Sequence, residues 1–111
     1  MLNIDGDQIS IAIDLDQGAR LASVQWRDMQ FAVPFRGQDL TWGWFSMVPF
    51  AGRIKDGIIR DSKGVSYQLP TNWLPPFAIH GFAFTSAWED IGRGRARLEL
   101  PAPYNGAVVT Q

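Results

Sequence analysis

Apolar and polar residues alternate along most of this chain, and the period is two. Ile9, Ile11, Ile13 and Leu15 alternate with Ser10, Ala12, Asp14 and Asp16, the pattern of a strand with one buried face. Gly18 breaks the run. Ala22, Val24 and Trp26 alternate next, and Arg27-Asp28 reads as a tight reversal into Met29, Phe31 and Val33. That is a hairpin by pattern, ending at Pro34. Residues 35–44 are irregular. In FSMVPFAGRI, Pro49 argues against a central strand and for a bend. Asp61-Ser62-Lys63-Gly64 is a turn between Ile58-Ile59 and Tyr67-Leu69, predicting a second hairpin. Residues 70–76 read as a loop, with strands at Phe82–Phe84 and near Trp88. Ala96, Leu98 and Leu100 alternate with Arg95, Arg97 and Glu99, and AVVTQ looks like one more strand. No window carries a 3.6-residue stripe. The expected class is all-β, with the short, evenly spaced strands of a β-sandwich. A chain that stops inside a strand is also what a piece of a larger sandwich would show.

Composition narrows the function more than the fold. The 111 residues fit one domain, and 46% apolar content with 13% aromatic content excludes a disordered chain. Five tryptophans suit a packed sandwich and equally a sugar site, where a flat apolar face and one polar handle are useful. The net charge of −1 gives no steering toward nucleic acid. Arg93, Arg95 and Arg97 alternate onto one strand face, which reads as solvated. With no cysteine there is no disulfide or thiolate chemistry, and with one histidine a protein-only zinc site is not expected. No apolar run nears the ~20 residues that cross a bilayer. The polar N-terminus MLNIDGDQIS is not a signal peptide, so the expected location is cytoplasmic.

Two residues carry the candidate chemistry. The single histidine, His80, lies in WLPPFAIHGFAF between Ile79 and Gly81. It is either a loop histidine satisfied by backbone groups or one of the groups around a small polar ligand. Arg53 follows a glycine inside the apolar stretch PFAGRI. Its five fixed donors either reach solvent at a strand end or form a fork over a pocket floor. Spacing alone favours neither reading.

The order VPFAGRIKDG, a hairpin, GVSYQLPTNW, AIHGF and AW, preceded by GARLASVQWRDMQFAVPF, resembles the N-terminal portion of the aldose 1-epimerase (galactose mutarotase) family. The likeness runs from about Gly18 to Trp88. It implies the family's all-β supersandwich, of which residues 1–111 would be the N-terminal part of a single domain. It implies interconversion of the α and β anomers of an aldohexose, without cofactor or metal. Opening a pyranose ring needs a proton delivered to the ring oxygen and one removed from the anomeric hydroxyl, each across ~2.6–3.2 Å. Imidazole suits the acid role and carboxylate the base.

By the family pattern, Arg53 and His80 contact the sugar, with His80 as the catalytic residue near the ring oxygen. Asn72 belongs to the substrate-binding loop, mainly as a shaper of its turn. The family's second histidine and its carboxylate base lie further along than this sequence extends. Asp56, Asp61, Glu89 and Asp90 do not match the base, and Gly52 stands where the family often has asparagine. The implied chain therefore binds sugar without turning it over. The alternative is a non-catalytic carbohydrate-binding β-sandwich module, and a third reading is a structural domain whose tryptophans are only core. Arg53, Lys55 and Arg60 would serve a hexose phosphate, or else form a solvated basic cluster. Partners beyond a small sugar are not implied, apart from self-association through open strand edges.

Overall fold

The half-buried alternation at the N-terminus folds into an antiparallel meander. In a computed structural model describing residues 1–111, β1 (Leu2–Asp5), β2 (Ile9–Asp14), β3 (Arg20–Trp26) and β4 (Met29–Gln30) form a four-stranded sheet in sequence order. Registers Ile4↔Ile11, Ile11↔Val24, Ile9↔Trp26 and Trp26↔Met29 gather the apolar side chains on one face. Two details depart from strict alternation. Ala12 pairs Ser23 and Ile13 pairs Leu21, so Ala22 is bulged and Leu21 takes the apolar face in its place. The hairpin return also stops at Gln30 and does not run to Val33. The Gln30 side-chain oxygen accepts the N–H groups of Val24 (2.9 Å) and Ala32 (3.1 Å), diverting the ladder.

The C-terminal strands β9 (Glu89–Gly92), β10 (Arg95–Glu99) and β11 (Val108–Thr110) form a second antiparallel sheet. Between the two sheets in sequence lie two short pairs: β5 (Arg53–Lys55) with β8 (Phe77–Ile79), and β6 (Ile58–Arg60) with β7 (Ser66–Gln68). The β6–β7 hairpin is closed as its sequence predicts. Asp61 accepts the N–H groups of Lys63 and Val65, each at 2.9 Å, and the Tyr67 hydroxyl at 3.0 Å, and these bonds hold its carboxyl below the usual range.

The chain is all-β, and three local expectations are corrected. Phe82–Phe84 is not a strand: the N–H groups of Phe82 and Ala83 both donate to the Val48 carbonyl, and Ala83–Thr85 curls into a 3-10 turn. Arg93 does not share a strand face with Arg95 and Arg97; it sits in the β9–β10 turn with φ +55°. Leu2–Asp5 forms a strand that its polar surroundings concealed. No helix is long and apolar enough to cross a membrane.

Both large sheets feed one core. Ala19, Ala83, Trp88, Ala96, Leu98 and Leu100 are buried together, with Ile13, Leu15, Val48, Tyr104 and Val109 packed around them. The cover is partial. Ile4, Ile9, Trp26 and Met29, at the far end of the apolar face of the first sheet, are exposed. The radius of gyration, 15.8 Å, exceeds the ~13 Å of a compact chain this size. An apolar sheet end beside unpaired edges is an association surface. Light scattering is expected to show oligomers growing with concentration; a sharp monomer at all concentrations would contradict this.

Candidate functional site

The β5–β8 pair sets the backbones of Arg53 and His80 one step apart, while their side chains pack on different aromatic residues. Arg53 pairs with Ile79, which sets His80 opposite Gly52. His80 donates its backbone N–H to the Gly52 carbonyl at 3.0 Å, and Gly52 returns its N–H to His80 Nδ1 at 3.0 Å. With Nδ1 used as an acceptor, the neutral imidazole carries its proton on Nε2. The ring packs near Phe45 at 6.2 Å and edge-on to Phe84 at 6.1 Å. Asn72 is committed to the same strand: its Oδ1 accepts the Ile79 N–H at 2.8 Å and its Nδ2 donates to the Ile79 carbonyl at 3.3 Å. Its amide thus ties the loop to the backbone of the residue before His80.

Arg53 is exposed, and its guanidinium lies 5.5 Å from the ring centroids of both Trp73 and Phe77. Trp73 is one wall of a cleft of about 530 Å³, with Asn72, Ile79 and Phe84 on the inner side and Gln38, Asp39 and Thr85 supplying further polar groups. Arg53 and His80 do not line this cleft. Each touches a wall of it, Arg53 through Trp73 and His80 through Phe84. Lys55 and Arg60 are exposed on different strand pairs and also lie outside it.

Sequence reasoning missed the residue that assembles this region. Arg20 is fully buried and donates to the carbonyls of Gln17 (3.3 Å), Asp39 (2.5 Å), Trp42 (2.9 Å) and Phe84 (3.0 Å). Its guanidinium is sandwiched at 4.4 Å from Trp42 and 4.6 Å from Phe45. Burial lowers its pKa, and the nearby Asp39 and Asp14 charges oppose that shift. Asp39 and Phe84 both line the cleft, so one guanidinium ties the 37–42 loop to the 3-10 turn. The only hint in the sequence was a charge at the start of a strand. Gln38 and Asp39, in the irregular 35–44 segment, were likewise overlooked.

Burial also lowers the pKa of His80 from its ordinary 6.5. Protonating Nδ1 would turn a donor toward the Gly52 N–H. The unfolded chain binds this proton near pH 6.5 and the folded chain only below that. The neutral ring's contribution is therefore complete above pH 6.5 and is lost as pH falls through the lowered folded value. The drop in Tm between pH 7 and pH 5 is expected to shrink in His80→Asn. An unchanged drop would mean that the Gly52 bond does not set this dependence.

Comparison with protein-family models and with curated proteins returned no match for this chain.

Proposed function

We propose that the chain binds an aldohexose, and that the chemistry it serves is the aldose 1-epimerase-like exchange of anomers. The observation that carries this reading is the cleft itself. Trp73, with Arg53 over its ring, gives the cleft an aromatic surface suited to a pyranose, and Asp39, Gln38 and Thr85 line the same cleft as partners for its hydroxyls. Sites of this size and mixture, apolar walls with a few placed polar groups, are typical of small ligands. His80 stands behind the Phe84 wall, its Nδ1 accepting the Gly52 N–H and the proton of the neutral ring on Nε2.

Ring opening needs an acid and a base both in reach of the sugar, and His80, the candidate acid, does not line the cleft. The chain alone is therefore expected to bind sugar and not to turn it over. That same observation favours a second reading, a carbohydrate-binding module without catalysis. Tryptophan fluorescence titration with D-galactose and D-glucose tests both. Saturable binding that falls at least tenfold in Trp73→Ala supports the site, and no response to either sugar refutes it. If His80→Asn also weakens binding, the epimerase-like reading gains. If His80→Asn binds as the native chain does, the module reading stands. Polarimetry on fresh α-D-glucose should show no rate above buffer.

A further inference from the structure

The loop that carries Asp39 has a cleft on each side. Opposite the Trp73 cleft lies a second, of about 510 Å³, and the two share Gly37 and Asp39 as lining residues. The second repeats the chemistry of the first: aromatic walls from Phe35 and Trp42, a carboxamide from Gln17 and a carboxylate from Asp14. Trp42 is only 5% exposed, and its Nε1–H has no acceptor. A buried donor left unpaired is uncommon enough to need a partner. Phe35, 66% exposed, stands edge-on to Trp42 with centroids 5.1 Å apart.

Charge limits what the partner can be. No lysine or arginine lines either cleft, and the Arg20 guanidinium behind Trp42, near the Asp39 and Asp14 charges, is committed to four backbone carbonyls. Asp14 and Asp39 repel phosphate and carboxylate ligands. They are acceptors suited to hydroxyls, and a hydroxyl is also an acceptor of the kind the Trp42 N–H lacks. A simple cation would leave that N–H unpaired.

We propose that the two clefts are adjoining subsites for a neutral saccharide of at least two rings. Asp39 sits between the rings and accepts hydroxyl protons from both. The second ring lies against Trp42 after Phe35 turns aside. This rests on the carbohydrate reading of the first cleft, and it specifies the substrate class as an unphosphorylated di- or oligosaccharide. Arg20, through its bond to the Asp39 carbonyl, holds the dividing loop in place.

Calorimetric titration with D-galactose, lactose and D-galactose 6-phosphate tests the proposal on the native chain and on Trp42→Phe and Asp14→Asn. Trp42→Phe keeps an aromatic ring and removes the N–H. Asp14→Asn lies outside the Arg20 hydrogen bonds and serves if Trp42→Phe fails to fold. Lactose should bind about tenfold or more tighter than galactose; either variant should abolish that gain, and Asp14→Asn should do so while leaving galactose affinity unchanged. Galactose 6-phosphate should bind more weakly than galactose. If galactose binds through Trp73 but lactose binds no tighter, or is insensitive to both variants, the second subsite is refuted and the aldohexose reading survives. Tighter binding of the phosphate refutes the neutral-ligand assignment. Failure of every sugar to bind overturns both readings.

Discussion

Arg20→Met is expected to cost about 3–5 kcal/mol, a large share of the ~5–15 kcal/mol by which domains are stable. The guanidinium serves four backbone carbonyls from three separate segments, those of Gln17, of Asp39 and Trp42, and of Phe84. Methionine fills much of the volume and relieves the cost of burying a charge. It supplies no donor. Each buried carbonyl left unpaired costs about 1–3 kcal/mol. The stacks on Trp42 and Phe45, worth about 0.5–2 kcal/mol, go as well. Arg20→Lys should recover only part of the loss, because one ammonium cannot reach carbonyls spread around a planar fork. Urea unfolding checks this through the midpoint. A shift worth less than about 1 kcal/mol would mean the four carbonyls have other partners. The folded fraction of Arg20→Met should also bind sugar poorly, since Asp39 and Phe84 would no longer be held together.

Arg20 shows where the sequence stopped being readable. Its partners lie up to 64 residues away, and no local pattern encodes a contact of that span. Strands β2, β3 and β10 were legible because a sheet with one buried face writes its geometry into every second residue. The β6–β7 hairpin was legible because Asp61 closes it locally. β1 was hidden because Asn3, Asp5 and Asp7 surround only two apolar residues, Leu2 and Ile4. The F-x-F of Phe82–Phe84 carries the alternation of a strand, but Val48 takes its N–H groups and bends it into a turn. The candidate site divides in the same way. Arg53 and His80 stood out as unusual residues in apolar stretches, and the β5–β8 register does set them one step apart. The cleft beside them depends on Gln38 and Asp39, held in irregular chain from a distance, and it could be found only in three dimensions.

Gly81→Ala should be the most damaging of the small substitutions, because it strikes the packing that forms this site. A Cβ at residue 81 would stand 2.1 Å from the Val48 carbonyl oxygen, 2.4 Å from its carbon and 2.6 Å from Pro49 Cδ. The first two atoms are backbone, so no side-chain rotation gives relief. Chain 48–49 must withdraw. The Val48 carbonyl then loses the N–H groups of Phe82 (2.8 Å) and Ala83 (3.2 Å), which shape the turn carrying Phe84. Gly81 also has φ +70°, which costs an L-residue about 1–2 kcal/mol before any clash. Together these predict a loss of about 3–5 kcal/mol. Gly64→Ala is the control. Its φ is +81°, but nothing lies within 4 Å of the added carbon, so it should lose only the conformational part, about 1–2 kcal/mol. The difference between the two measures the approach of residue 48 to residue 81. Moving Gly81 also displaces His80, so the part of the pH dependence that comes from the Gly52 bond should fade in the same variant. If Gly81→Ala and Gly64→Ala melt alike, the native backbone does not make that approach, and His80 is not held by it.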